Sequence, residues 1–355
     1  MLHEIVKQFF PAQQINKIAE FGNGHINTTY KLSLLGRDEE FILQKINTNV
    51  FKDPNGLVET HWRLQEVFFI EDQPINIAKL IPTSNGTLLY TDIDGQFWRM
   101  TSFIEDSYTI EMIAEDWQAR EAGSAFGCFV RICGIFNADS FQEAIRDFHR
   151  LSFRIKQLDE AIANNAAGRY DEVQNILEFY KARQDQLSRI EHLVDEGKIP
   201  LRVVHNDTKI NNLLFRGNKA VAVIDLDTVG PGILYYDYGD ALRTSASTGA
   251  EDEPDLEKIK FNMNAFAAFT KGYLQQVKSI AGSYETQYFY LAPRLMTFIM
   301  GIRFLADYLN GDVYYKTKHA RHNLDRCLVQ KKLIESMEGR ESDMKAVIEQ
   351  ALKDV

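Results

Sequence analysis

The stretch that decides the fold reads Val203-Val204-His205-Asn206-Asp207-Thr208-Lys209-Ile210-Asn211-Asn212-Leu213-Leu214-Phe215-Arg216-Gly217-Asn218-Lys219-Ala220-Val221-Ala222-Val223-Ile224-Asp225-Leu226-Asp227. Two apolar runs flank Gly217-Asn218, which predicts a β-hairpin with that pair as its two-residue turn. Phe215 then faces Ala220, Leu213 faces Ala222 and Asn212 faces Val223. Asp225 falls two residues beyond the partner of Asn212, roughly 7 Å along the strand. One divalent ion can therefore touch both side chains. Asp207 lies in the loop that enters the first strand and can look into the same space.

A carboxylate and an amide oxygen suit Mg²⁺, a hard cation that keeps waters and is completed by substrate phosphates. A third carboxylate outside that pair is free to take a proton. The division of labour fits phosphoryl transfer, where an acid-base group positions the acceptor hydroxyl while cations spread the charge on the moving group. As incidental polar residues beside apolar strands, Asp207, Asn212 and Asp225 would only cost energy.

Around this segment the composition is that of an ordinary globular protein: 355 residues, 45% hydrophobic and 25% charged, with 40 Lys+Arg against 50 Asp+Glu. That length favours two lobes with a site in the cleft between them. A formal charge of −10 argues against nucleic acid, which needs a concentrated basic surface. Met1-Leu2-His3-Glu4 shows no basic segment before an apolar run, and the apolar stretch Leu295–Ile302 falls well short of the roughly 20 residues that cross a bilayer. The expectation is a cytoplasmic protein with no membrane partner. Cys128, Cys133 and Cys327 lack metal-type spacing and read as reduced core thiols.

Residues 1–105 mix β-rich runs, such as Thr29–Leu32, Phe41–Lys45 and Phe97–Met100, with turn pairs at Asn23-Gly24, Asn85-Gly86 and Asp94-Gly95. One helix from Pro54 to Val67 interrupts them. Residues 106–355 turn to long amphipathic segments: Trp117–Cys133, Asp139–Lys156, Asp171–Glu196, Leu256–Ile280, Thr286–Leu309 and Arg321–Leu352. The expected fold class is α+β and bilobal: a small antiparallel-sheet N-lobe with one helix, and a larger, mainly helical C-lobe carrying the hairpin. The acidic run Glu251-Asp252-Glu253 reads as a solvated loop.

The pattern His-x-Asp-x-x-x-x-Asn, then an apolar strand and Asp, resembles the catalytic loop of the protein-kinase-like fold. In such a fold the first lobe holds ATP. Phe21-Gly22-Asn23-Gly24-His25-Ile26-Asn27 is then a strand-turn-strand phosphate cover, with Gly22 and Gly24 present and Asn27 at the third glycine position. Alternation on Phe41–Lys45 puts Leu43 and Lys45 on one face, Leu43 over the adenine and Lys45 toward the phosphates, with Gln44 the neighbouring alternative. Glu59 is the preferred acidic partner of Lys45 and Glu66 the other. Met100–Glu105 is placed as the connector between lobes.

Protein kinases carry Arg where Asn206 stands and Phe-Gly where Leu226-Asp227 stands. The chain instead resembles the aminoglycoside phosphotransferase and choline kinase group, whose later Asp, here Asp237, buttresses the catalytic loop. Within it, Gly24–Tyr30, Leu43–Asn47, Val50-Phe51, His205–Lys209 and Arg303–Asp312 are similar to blocks of N-acetylhexosamine 1-kinases. The resemblance implies transfer of the ATP γ-phosphoryl group to the anomeric hydroxyl of GlcNAc or GalNAc. It implies Asp207 as base and acceptor contact, Asn212 and Asp225 on Mg²⁺ and Lys45 on phosphate. His25, Arg303 and Tyr314 or Tyr315 become sugar contacts, in a monomer or weak homodimer. Arg303 has a competing reading as the partner of Asp307 one helical turn on. The rivals are a kinase of the same architecture with an aminoglycoside, choline or homoserine acceptor, and a catalytically silent binding protein.

Overall fold

The computed structural model describes residues 1–22, 26–70 and 73–354. Helix α1 (Leu2–Phe9) precedes strands β1 (Ile15–Glu20), β2 (Thr28–Leu34) and β3 (Glu40–Lys45). Helix α2 (Pro54–Phe68) follows, then β4 (Asn76–Ile77), β5 (Leu80–Ile81), β6 (Tyr90–Thr91) and β7 (Phe97–Ser102). The sheet order is β1-β2-β3-β7-β5 with β6 on β7, every pairing antiparallel. Period-2 alternation puts Leu32, Leu34, Phe41, Leu43, Trp98 and Met100 on one face, where Ile5, Val6 and Phe9 of α1 seal them. Helix α2 starts as its sequence dictates: Asp53 accepts the N–H of Gly56 at 3.1 Å, and Pro54 fills the first turn, where no N–H is needed.

Beyond the sheet come α3 (Asp116–Cys133), α4 (Leu151–Asn164), α5 (Gln174–Asp195), β8 (Arg202–Val204), β9 (Leu213–Arg216), β10 (Lys219–Val223) and β11 (Gly230–Gly232). Then follow α6 (Leu234–Ser245), α7 (Met263–Val277), α8 (Ser283–Tyr288), α9 (Ala292–Asn310), α10 (His322–Glu338) and α11 (Glu341–Lys353). The apolar run expected to be a buried helix is the middle of α9, whose residues from Ala292 to Ile302 are all buried. It is apolar and long enough to span a membrane by composition, yet it lies inside the protein. The three cysteines are free and buried. This is a protein-kinase-like fold, an antiparallel sheet followed by a helical body.

Several expectations are corrected. The N-terminal region has a second helix, α1, because Ile5, Val6 and Phe9 recur on one face within eight residues, too short a run to stand out by periodicity. The stretch 139–150 is not helical beyond a single turn at Ala138–Ser140; Asn137 caps that turn by accepting the Asp139 N–H at 3.1 Å. Gly339 divides the last expected helix in two. The hairpin forms with Gly217 at φ +55, but a bulge at Val221 shifts the register by one. Val223 therefore pairs with Leu213 rather than Asn212, and Asn212 instead accepts the Ile224 N–H at 2.9 Å. Strand β4 lies parallel to β10, so a piece of the N-terminal region is sewn into the hairpin's sheet.

Candidate active site

The loop carrying Asp207 is fixed from behind. Asp237 of α6, fully buried, accepts the backbone N–H groups of His205 at 2.8 Å and Asn206 at 2.7 Å, and its carbonyl accepts the Thr208 hydroxyl at 2.6 Å. Burial raises the Asp237 carboxyl to about 6. The His205 ring stands edge-on to Phe126 and Phe129 and bonds the Ile224 carbonyl through Nε2 at 3.0 Å. His205 braces the loop against the strand that delivers Asp225. Asn206 takes a left-handed φ of +64, held by its Nδ2 bond to the Thr228 carbonyl at 3.0 Å.

Asp207 sits 3.0 Å from Lys209 Nζ and 3.3 Å from Asn212 Nδ2, and the same Nδ2 donates to the Asp207 carbonyl at 2.8 Å. Burial works to raise the Asp207 carboxyl, but the Lys209 ammonium outweighs it and holds the group below its ordinary value. Lys209 is held above its own, chiefly by Asp207. With Nδ2 engaged, Oδ1 is the Asn212 atom left for a cation. Asp225, at a left-handed φ of +59, still reaches solvent, yet the protein packed about it, then the Asp227 and Asp207 carboxylates, push it up to about 7. A cation between these groups relieves that repulsion. Among the described residues no three His, Cys, Asp or Glu side chains gather into a metal cage. An amide oxygen and a carboxylate therefore fit Mg²⁺, with water and phosphate oxygens completing its shell.

On the sheet's cleft side stand Thr29, Gln44 and Arg99 in one row across β2, β3 and β7. Arg99 Nε donates to Gln44 Oε1 at 3.0 Å, Gln44 Nε2 donates to Thr29 Oγ1 at 3.1 Å, and Arg99 Nη1 forms a short ion pair with Asp227. Asn27 Nδ2 donates to the other Asp227 oxygen at 2.6 Å. One step along, Lys31 lies 3.6 Å from the Phe103 ring centre and Phe21 meets Phe103 edge-on, at the start of the connector between lobes. This polar, cationic and aromatic face is suited to a nucleotide.

The structure turns Lys45 away from that face. Alternation carries it with Leu43, which is sealed in the α1 core, and it influences Asp92 beside Trp98 instead. Gln44, the neighbouring alternative, occupies the cleft side. Glu59 is exposed on α2, and among the described residues neither it nor Glu66 pairs with Lys45. The polar α2 side chains turned inward are His61 and Gln65, bonded to Ala78 O at 2.6 Å and Leu80 N at 2.7 Å. Gly22 has φ +80 and open space about it, while Gly24 and His25 lie outside the described residues.

Helix α9 and the turn after it present Arg303, Tyr314 and Tyr315. Asp307 does not pair with Arg303. It accepts the backbone N–H groups of Val313 (3.0 Å), Tyr314 (2.8 Å) and Tyr315 (3.0 Å) and the Asn323 amide (2.8 Å). That fan of bonds folds the turn back over α9. Arg303 rests among the rings of Phe148 (5.1 Å), Tyr315 (5.7 Å) and Tyr314 (5.9 Å), with no carboxylate in ion-pair range among the described residues. Tyr314 is 62% exposed, whereas the Tyr315 hydroxyl is buried without a hydrogen-bond partner among the described residues. Arg154 lies close behind, its guanidinium lowered to about 10 by burial and by Arg303.

The structure brings Asp207 and Asn212 into contact and Asp225 within electrostatic reach of Asp207; the sequence reading named Gln44 only as the alternative to Lys45 and did not single out Asp227, Arg99 or Arg154. A signal for Arg99 was present, an arginine inside the otherwise apolar strand Phe97-Trp98-Arg99-Met100.

Comparison with known proteins gives the same picture. The model of the phosphotransferase enzyme family matches residues 17–269. Among solved structures the chain is similar to the ADP-bound aminoglycoside phosphotransferase APH(2'')-Ib, at TM-score 0.58 and 14% identity over 95% of this chain and 99% of that one. It is similar to a microcompartment-associated aminopropanol kinase, at 0.61 and 14% over 96% and 98%. Choline kinase from Cryptosporidium parvum Iowa II matches at 0.56 and 14% over 95% and 93%.

Proposed function

Because this chain belongs to the phosphotransferase enzyme family, we propose that it transfers the γ-phosphoryl group of ATP, with Mg²⁺, to the anomeric hydroxyl of an N-acetylhexosamine such as GlcNAc or GalNAc. The observation that carries this reading is the acceptor side of the cleft: Arg303, ringed by Phe148, Tyr314 and Tyr315 and lacking a carboxylate, beside the unpartnered Tyr315 hydroxyl. A buried hydroxyl without a partner is costly, and a neutral polyol supplies hydroxyls both to it and to the half-buried Arg303, whose Nη1 has a weak sulfur acceptor in Met300 at 3.2 Å. An exposed Tyr314 ring offers an apolar face to a sugar. The similarity to N-acetylhexosamine 1-kinases in the Arg303–Asp312 block points to the same acceptor.

Cationic acceptors lose the support that an acidic mouth would give them. Glu251 is bound by Arg243 at 2.7 Å, Asp252 by Lys318 at 2.7 Å and His322 at 3.0 Å, and Glu253 by Lys258 at 3.5 Å.

In this reading Asp207 accepts a hydrogen bond from the anomeric hydroxyl, orients it and takes its proton as the new P–O bond forms and the bond between the γ-phosphorus and the β–γ bridging oxygen breaks, ADP leaving with that electron pair. Lys209 keeps Asp207 ionised. An anomeric hydroxyl is more acidic than an ordinary alcohol, so a carboxylate of lowered basicity suffices, and positioning supplies most of the acceleration. Asn212 Oδ1 and Asp225 would hold Mg²⁺, which supplies charge stabilisation at the phosphates when bound. Arg99 is tied to Asp227 and Gln44, and Lys31, paired with Glu40 at 2.5 Å, is a second cation of the same face. Incubation with Mg-ATP and a panel of N-acetylhexosamines, other sugars, aminoglycosides and amino alcohols tests the proposal. The expected product is a sugar heavier by one phosphoryl group, with phosphorus coupled to C1 in the NMR spectrum. Phosphorylation of the amines alone would overturn it.

A further inference from the structure

Among the described residues the Asp225 carboxylate accepts no hydrogen bond, and it stands exposed at a left-handed φ of +59. Its place is therefore set by the chain on either side. Before it, the Ile224 N–H donates to the Asn212 carbonyl at 2.9 Å, and the Ile224 carbonyl lies 3.0 Å from His205 Nε2. After it, the single turn Leu226–Thr228 has two anchors. At one, the Thr228 hydroxyl donates to the His205 carbonyl at 2.8 Å and the Thr228 carbonyl accepts Asn206 Nδ2 at 3.0 Å, which ties the turn to the catalytic loop.

Asp227 is the other anchor, and it reaches the sheet. One oxygen pairs with Arg99 Nη1 on β7, and the other accepts Asn27 Nδ2 at 2.6 Å, immediately before β2. Asn27 is clamped in turn from the end of β3: its Oδ1 accepts the Asn47 N–H at 2.9 Å, and Asn47 Nδ2 donates to the Ile26 carbonyl at 3.2 Å. This accounts for the residue at 27. A glycine there has no side chain to join 47 to 227, whereas the asparagine amide has a donor and an acceptor and uses both. With its side chain 2% exposed and both oxygens engaged, Asp227 is closed to a cation, while Asp225 is open to one.

We propose that Asp227 is a positioning residue for the metal site: through Asn27 and Arg99 it fixes the Asp225 carboxylate relative to the sheet that faces the nucleotide. Support from behind of this kind orients a ligand before the metal arrives. The inference rests on the reading of Asn212 and Asp225 as Mg²⁺ ligands and is independent of the acceptor.

Calorimetric titration of the full chain with ADP, without any acceptor, in Mg²⁺ and again in EDTA, tests it. In the parent protein Mg²⁺ tightens ADP binding. Asn27→Asp turns a second carboxylate toward Asp227 and should cut that gain by about tenfold or more, the usual loss when the support of a metal ligand is removed, with the Kd for metal-free ADP unchanged. Asn27→Ala, which loses the bond without adding charge, should move the same way by less. The exchange Asn27→Asp/Asp227→Asn keeps both hydrogen bonds and the single negative charge with donor and acceptor swapped, and should restore the gain. A gain unaltered in both single variants, equal weakening with and without Mg²⁺, or a double variant no better than Asn27→Asp would each overturn the proposal. A parent protein whose ADP affinity ignores Mg²⁺ would overturn the reading of Asn212 and Asp225 first, and this proposal with it.

Discussion

Asp207 concentrates the chemistry in one carboxylate. Replacing it by Asn preserves its size and removes its capacity to take a proton. Turnover of Asp207→Asn should fall by about 10²–10⁴-fold, the usual worth of general-base help, while the ATP Kd read by fluorescence titration stays near its original value. An active variant would remove Asp207 from the reaction. Asp227 is the residue with most to lose structurally, since its carboxylate is nearly inaccessible and neutralised by Arg99. Arg99→Met leaves that charge buried with Asn27 as its one side-chain donor among the described residues, so urea unfolding should report a loss of about 3–5 kcal/mol. These two residues mark what a sequence discloses at this scale. The spacing of Asp207, Asn212 and Asp225 was readable because three polar groups share one hairpin, where local geometry dictates proximity. The Arg99–Asp227 pair spans 128 residues and is joined only by the tertiary fold. Lys45 was misplaced by one step of strand parity, which a strand's own residues cannot fix when Gln44 and Lys45 both suit a half-buried edge.

At the level of elements, the backbone of the turn after α9 is gathered by Asp307, whose two oxygens accept three successive backbone N–H groups, while Arg169 and Asn323 bind Asp312 beside it. Asp307→Asn gives up one of those oxygens for a donor, loosening Tyr314 and Tyr315 around Arg303. The expected outcome is a rise in the acceptor KM by about tenfold, the cost of a weakened charged hydrogen bond, with the KM for ATP unchanged. A different constraint governs α3 and α7. A Cβ on Gly123 would meet the Phe269 carbonyl oxygen at 2.1 Å, and one on Gly272 the Arg120 carbonyl oxygen at 2.2 Å. The two backbones touch there, so Gly123→Ala should lower stability by about 1–3 kcal/mol or more in thermal unfolding, despite its higher helix propensity. Long amphipathic helices were legible from periodicity, because each buries one stripe. The segment 137–150 was not, because it serves as a strap. Ala144 and Ile145 pack beneath Phe51 and Phe97 of the sheet region, and Ser140 binds Arg63 of α2 at 2.7 and 2.8 Å, so its apolar residues answer to two partners rather than to one helical face.

For the molecule as a whole, the lobes are joined by more than the connector after β7. Strand β4 runs in the hairpin's sheet, the 137–150 strap reaches α2, and the Arg99–Asp227 pair closes the back of the cleft. His61 lies at this junction, buried on α2 and bonded to Ala78 O. Burial first, then the nearby Arg99 charge, lower it from 6.5 to about 4. Between those values the unfolded chain binds a proton that the folded protein refuses. The neutral ring's contribution to stability is therefore complete above pH 6.5 and is lost as pH falls toward 4. His61→Gln keeps a donor for Ala78 O and removes the titration. The stability gap between the parent protein and His61→Gln, measured by urea unfolding at pH 7 and pH 5, should shift against the parent by about 2 kcal/mol at the lower pH, following roughly 1.4 kcal/mol per pH unit across the window. A gap that stays constant would mean that His61 takes up its proton without opening the junction, and that the lobes are not locked through α2.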